Sequence, residues 1–164
     1  GQADLAALAA SGLKPAFVML PKVETAAELA QADQALAAID TVFIAQIETP
    51  RGLLDARAIA AASPRLQALM FGGFDYIVAL RGRASWESFF HPRVQLATIA
   101  AEAGVGCMDV PWLDIKDQAG LVAETDRVIA LERSLLSDEV RADPSAVAAL
   151  LHPDWCEIGR SGRL

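Results

Sequence analysis

Val42-Phe43-Ile44-Ala45-Gln46-Ile47-Glu48-Thr49-Pro50-Arg51-Gly52 is the stretch whose reading decides the fold. Val42 to Ile47 is short, apolar and rich in β-branched residues, the composition of a buried strand. The run ends on a carboxylate. Thr49 then offers a hydroxyl as N-cap and Pro50 suits a first helical position, so a helix is expected from Pro50 to about Ser63. This order places Glu48 at the C-terminal tip of a buried parallel strand, the edge where α/β folds gather ligands. The same position also suits an acid that merely favours the dipole of the helix behind it.

The pattern repeats on both sides. Upstream, Ala3 to Ala10 reads as the end of a helix stopped by Ser11-Gly12, and Pro15 to Pro21 as a strand of buried type that exits at Lys22, Val23 and Glu24. Thr25, with Glu28 at the third helical position, is a capping box for a helix through Ala38 that turns Leu29, Ala32 and Leu36 to one face. Downstream, the helix from Pro50 is expected to point Leu53, Leu54, Ala58 and Ile59 inward and to stop at Pro64. Leu66 to Phe71 is the next strand. Its exit, Gly72-Gly73-Phe74-Asp75, pairs glycines that allow close backbone approach or positive φ with a second strand-tip acid. Arg81 to Phe90 reads as a loop or short helix, and Pro92 to Ala103 as a helix stopped by Gly104. Val105 to Met108 is a further strand with Asp109 as the third acid at such an exit, and Cys107 is expected in its core. Asp117 caps a helix to about Arg133. Beyond Glu132 the pattern weakens: Ala146 to Leu151 fits helix or strand, and Gly159 to Arg163 a frayed end.

Alternating strands and helices with short connections imply an α/β fold with a parallel sheet. A (β/α)8 barrel of TIM type and a doubly wound open sheet both satisfy that. No glycine-rich phosphate motif follows any strand, which disfavours nucleotide-binding open sheets. Strands ending on Glu48, Asp75 and Asp109 suit a barrel whose top face holds a cation.

Composition sets outer bounds. The 164 residues are 54% hydrophobic and 21% charged, ordinary for one globular domain. A net charge of -7 and a pI near 4.7 disfavour a nucleic-acid partner. No apolar run reaches membrane-spanning length and no export signal is evident, so a cytoplasmic protein with no membrane partner is expected. Cys107 and Cys156 make no disulfide framework, and there is no His- or Cys-rich spacing for zinc.

Several segments together carry a family resemblance. They are Leu20-Pro-Lys-Val-Glu24, Ile47-Glu-Thr-Pro-Arg-Gly-Leu-Leu54, Ser63-Pro-Arg65, Met70-Phe-Gly-Gly-Phe-Asp75, and Ala103-Gly-Val105 followed by Met108-Asp-Val-Pro-Trp-Leu-Asp-Ile-Lys-Asp117 with Gly120-Leu121. In this order they resemble the citrate lyase β-subunit-like branch of the HpcH/HpaI aldolase superfamily. The resemblance covers residues 3–131 and leaves 132–164 as a divergent tail. It implies one partial TIM-barrel domain over 1–164, covering the later βα units. It also implies a magnesium-dependent carbon–carbon lyase acting on citryl-, malyl- or citramalyl-like thioesters of coenzyme A or an acyl carrier. Two substrate-binding arginines of the family fall before Gly1 in this register. The family's Gly-Phe-Asp-Gly-Lys and Ile-His-Pro stretch is replaced by Glu132-Arg-Ser-Leu-Leu-Ser, with Leu151-His152-Pro153 at best a displaced echo. The 164 residues alone are therefore expected to bind a cation yet turn over little.

Within the resemblance, Glu48 and Asp75 match the metal carboxylates. Neighbouring parallel strands put their tips within about 5 Å of each other, so one Mg²⁺ or Mn²⁺ could bridge both. Arg51, as a cation for a substrate carboxylate or thioester phosphate, and Asp109, as a supporting acid, are the catalytic candidates. Lys22, Thr49, Gly52 and Gly73 are substrate-binding candidates, the helix-start amides being a ready anion seat, and Lys22 also suits charge pairing that orients Glu48 or a plain structural ion pair. Trp86, Phe89 and Phe90 form an apolar cluster read as core or subunit contact, with an acyl-group wall as the alternative. The expected partners are a small acyl thioester, a 2-oxo acid and a second copy of the chain. The rival readings are an aldolase releasing pyruvate from a 2-oxo-3-deoxy acid, and a non-catalytic interaction subunit.

Overall fold

A computed structural model describes residues 1–109, 112, 114, 116–136 and 145. It divides into two compact units, Gly1–Pro111 and Trp112–Leu164. In the first, α1 (Gln2–Ala10) leads into β1 (Phe17–Leu20), α2 (Ala26–Ala35), β2 (Val42–Ile47), α3 (Pro50–Ala60), β3 (Leu66–Phe71), α4 (Gly73–Leu80), α5 (Trp86–Ala103) and β4 (Gly106–Met108). In the second, the described helix is α6 (Gln118–Leu136), whose start is held by Asp117 Oδ1 accepting from Gly120 N–H at 2.8 Å. Among the described residues no helix is long and apolar enough to cross a membrane. The segments 146–151 and 159–163, with His152 and Cys156, lie outside the described residues.

The four strands pair in parallel in the order β1-β2-β3-β4. A doubly wound sheet reverses its strand order part-way; this sheet does not, and adds each strand beside the one before it, as the wall of a TIM-type barrel does. One face carries the core. Phe43, Ala45 and Ile47 of β2 and Leu69 and Phe71 of β3 meet Leu29 and Ala32 of α2, Leu53, Ala56 and Ile59 of α3, and Leu96 and Ala100 of α5. The alternate residues Val42, Ile44 and Gln46 are only half-buried, the two-residue period of a strand with unlike faces. Between β2 and β3 the register slips. Phe43 pairs Leu66 but Ile44 pairs Ala68, so Gln67 is the extra residue, exposed where the strand bulges.

Several local expectations change. β1 alternates exposed and half-buried, with Phe17 at 55% exposure, because it has β2 as neighbour on one side and is the sheet's edge here. Leu54 and Ala58 point outward (Leu54 is 78% exposed), since the buried set Leu53, Ala56, Ile59 and Ala60 follows the helical period and leaves them off that face. α2 stops at Ala35, with Leu36 as C-cap, rather than reaching Ala38. α3 likewise stops at Ala60, short of Ser63. Cys107 is exposed, not core. The helix expected from Pro92 begins six residues earlier, because Ser85 Oγ accepts from Ser88 N–H at 3.2 Å and caps it; Pro92 lies inside. α4 was not expected at all, having a glycine N-cap and an aromatic, β-branched sequence.

At the N-terminal edge of the sheet, Arg65 locks α2 to β3. Its Nε donates to Asp33 Oδ1 at 2.7 Å, and Nη1 donates to the carbonyls of Leu36 and Ile39, each at 3.1 Å. Nη2 donates to the Asp33 carbonyl and carboxylate, and the guanidinium lies 4.8 Å from the Phe43 ring centroid. Ser63 Oγ donates to Asp33 Oδ2. That hydrogen bond first, and then Arg65, hold the Asp33 carboxyl below its usual range. Arg65→Met removes the guanidinium donors from this part-buried acid and from three carbonyls and should cost about 2–4 kcal/mol in urea unfolding. A carboxyl lowered in the folded state stabilises fully above its unfolded value, near pH 3.9, and the gain is lost as pH falls through the folded value. Asp33→Asn should therefore lose less stability than the wild type between pH 5 and pH 2, measured by thermal melts across that range.

Candidate active site

Three strand exits meet at the C-terminal edge of the sheet. Glu48 follows β2 directly and is only 4% exposed. Its Oε1 accepts the backbone N–H of Lys22, just after β1, at 2.8 Å. The next amide, Val23 N–H, donates to the Gln46 carbonyl at 3.2 Å, so the chain leaving β1 is tied to the end of β2 twice. From β3, Gly72 N–H donates to the Ile47 carbonyl at 2.9 Å, and α4 starts there with Asp75 in its first turn. Lys22 Nζ lies 3.3 Å from Asp75 Oδ2.

Glu48 and Asp75 are close enough to act on each other. Burial first of all, and then the charge and hydrogen-bonding of Asp75, push the Glu48 carboxyl above its usual range; the Lys22 amide and ammonium oppose this without cancelling it. Gly72 makes the packing possible. A Cβ on Gly72 would fall 2.4 Å from Glu48 Cβ, 2.7 Å from Glu48 Oε2 and 3.2 Å from Gln46 Nε2. The space beside Oε2 is thus kept open by a missing side chain.

This donor set suits a hard divalent cation. Two carboxylates sit side by side, one of them reluctant to ionise without added positive charge, and magnesium commonly takes one or two carboxylates plus water and substrate oxygens. Among the described residues no group of three or more His, Cys, Asp or Glu gathers for a metal.

The remaining expected residues divide. Thr49 is the N-cap of α3, but its Oγ1 accepts from Gly52 N–H at 3.0 Å, so the Gly52 amide is used within the cap and is not an anion donor. Gly52 has a packing role instead: a Cβ there would sit 2.5 Å from the Val23 carbonyl. Arg51 is exposed on the first turn of α3 and makes no ion pair among the described residues. Gly73 is buried as the first residue of α4, a helix whose start has no side-chain cap. Asp109 follows β4 and is held by Arg93 Nε at 2.9 Å. The Arg93 guanidinium in turn lies 5.3 Å from the Trp86 ring and 5.5 Å from that of Phe89. Phe89 is core, in edge contact with Phe71, while Phe90 is exposed.

A family model, HpcH/HpaI aldolase/citrate lyase, matches residues 1–135. The chain belongs to that family. It is 30% identical over 139 residues to citrate lyase subunit beta of Escherichia coli, covering 78% of this chain and 45% of that one. RipC from Yersinia pestis superposes with a TM-score of 0.74 at 37% identity, over 77% of this chain and 59% of the other. The CitE protein of Mycobacterium tuberculosis in complex with magnesium and acetoacetate gives 0.60 at 29% identity, over 80% and 53%. The chain thus spans about half the length of the curated relative it matches.

Gln46 is a contributor outside the expected set, and Gly72 is expected only as one of a glycine pair that allows close approach. Each had a signal: Gly72 opens the glycine pair, and Gln46 is the polar residue in the apolar run of β2. Two outcomes follow from the packing. Gly72→Ala should destabilise by about 1–3 kcal/mol as Glu48 is forced aside, seen as a lower urea midpoint. A carboxyl raised in the folded state contributes stability that is full below the unfolded value and is lost as pH rises through the folded one. Glu48→Gln should therefore melt higher than the wild type at pH 7 without metal, and the advantage should vanish near pH 4.

Proposed function

We propose that this chain carries the cation site of a magnesium-dependent carbon–carbon lyase. The reaction is cleavage of a citryl-, malyl- or citramalyl-like acyl thioester to a 2-oxo acid and a shorter acyl thioester. The observation that carries this reading is the pair Glu48 and Asp75, adjacent at the C-terminal edge of a barrel-type sheet, with Glu48 buried and kept from ionising easily. Similarity to citrate lyase subunit beta supports the thioester branch over a pyruvate-releasing aldolase. The CitE relative, in complex with magnesium and acetoacetate, supports magnesium as the ion.

Glu48 and Asp75 would hold the ion, which when bound supplies positive charge to a carbonyl oxygen that becomes more negative as the bond breaks. The chain's own residues do the rest. Lys22 N–H fixes Glu48 Oε1 and so leaves Oε2 for the ligand, in the space that Gly72 keeps open. The uncapped first-turn amides of α4, beginning at Gly73, offer donors to a substrate carboxylate. Arg51 presents a guanidinium fork suited to carboxylate or phosphate. Asp109, fixed by Arg93, is an acid of set orientation at the neighbouring tip. Phe17 and Met19, apolar and exposed on the edge strand, support association with a second copy of the chain.

Calorimetric titration of Mn²⁺ or Mg²⁺ tests the site. The wild type should bind, and Glu48→Gln and Asp75→Asn should each weaken binding by about a hundredfold or more. Equal binding in all three proteins would sink the assignment. In the whole protein, magnesium-dependent release of free 2-oxo acid from a malyl- or citramalyl-type thioester should fall by about 10²–10³ in either variant.

A further inference from the structure

Lys22 occupies a backbone position that its residue type does not favour. Its φ is 52°, and the other non-glycine residue with positive φ among the described residues, Arg81, is accounted for as the left-handed C-cap of α4. Pro21 precedes it, and a proline followed by a positive-φ residue is the pattern of a turn that asks for glycine at the second place. A glycine would serve the turn, and its N–H would serve Glu48 equally well. A lysine there adds a long cationic side chain at a backbone position that does not call for one. Strained positions of this kind persist where the surroundings over-determine them and cluster at functional sites. The surroundings here do so: the consecutive amides of Lys22 and Val23 are bonded to Glu48 and to the Gln46 carbonyl, and the start of α3 closes on the Val23 carbonyl at Gly52.

The side chain delivers an ammonium to the other carboxylate of the pair, 3.3 Å from Asp75 Oδ2. One residue therefore touches both acids, Glu48 through its amide and Asp75 through its ammonium. On the reading that the two acids hold a divalent cation, we infer that Lys22 is the positioning residue of the site. Its amide sets the Glu48 carboxylate, and its ammonium is a placeholder on Asp75 that the incoming cation must displace. The ammonium opposes metal binding twice, by occupying an Asp75 oxygen and by repelling the ion. The pair is well exposed, 62% for the lysine side chain and 43% for the aspartate, so both effects are screened by water and salt.

The test is calorimetric titration of Mn²⁺ at low and at high ionic strength into the wild type, Lys22→Met and Lys22→Gly. Lys22→Met removes the ammonium and keeps the strain. Lys22→Gly removes both and keeps the amide. The inference expects each variant to bind Mn²⁺ about three- to tenfold more tightly than the wild type in low salt, with the gap narrowing in high salt. It also expects Lys22→Gly to melt higher than Lys22→Met, because glycine accepts the left-handed backbone. Unchanged or weaker Mn²⁺ affinity in both variants overturns the placeholder role while leaving the cation site intact. A wild type that binds no Mn²⁺ overturns the cation site and this role together.

Discussion

A carboxylate taken out of water is the constraint on which this structure depends. An uncompensated buried charge is costly enough that a protein ordinarily protonates it or surrounds it with donors. Glu48 has one amide on one oxygen, and a second carboxylate as neighbour in place of a full set of donors. Everything around it accommodates that choice. The chain leaving β1 turns through an unfavourable backbone to bring its amide in, a glycine follows β3 so that the Glu48 side chain has room, and α4 starts at once with Asp75 in its first turn. The fold stabilises this edge poorly for its own sake, in keeping with the proposal that it takes a positively charged ligand.

The opposite edge shows the contrasting solution. There Asp33 is also part-buried, but it meets a guanidinium, a hydroxyl and a well-aligned set of carbonyls bound by the same arginine. Its charge is favoured, where that of Glu48 is disfavoured. One end of the sheet thus holds a satisfied network and the other an unsatisfied one. This matches the division of barrels into a stabilising N-terminal face and a reactive C-terminal face.

Much of this was legible in the sequence, and for definite reasons. The strands Val42–Ile47 and Leu66–Phe71 were read to the residue because apolar runs bounded by Thr, Pro and Gly leave little choice. The caps Thr25 and Thr49 were visible because capping is a short-range interaction between a side chain and an amide three residues on. Glu48, Lys22 and Asp75 were picked out from their positions after strands, and the structure brings them together. What failed depended on contacts across the chain. The start of α4 has no side-chain cap to announce it, and the outward turn of Leu54 is set by which helical face meets β2. The clamping of Asp109 by Arg93 joins residues 16 apart, beyond the reach of a local pattern, whereas the tie of the Gly52 amide to Thr49 follows from the cap itself. Gly72 was half seen: a glycine pair announces close approach, but not which of the two makes it.

The slip between β2 and β3 makes the chemistry a matter of counting. Carried on from Leu66 opposite Phe43 with no slip, the pairing would set Gln67 opposite Ile44 and Phe71 beside Glu48, and turn alternate side chains of β3 the other way. With the slip, Phe71 lies opposite Ile47, inside the core, and the next residue, the glycine, falls level with the acid. The spacing between a structural residue and a reactive one is therefore written into the strand as an odd residue near its beginning. One residue inserted between Ala68 and Phe71 would bring that aromatic ring level with Glu48, into the place where the proposed cation would sit.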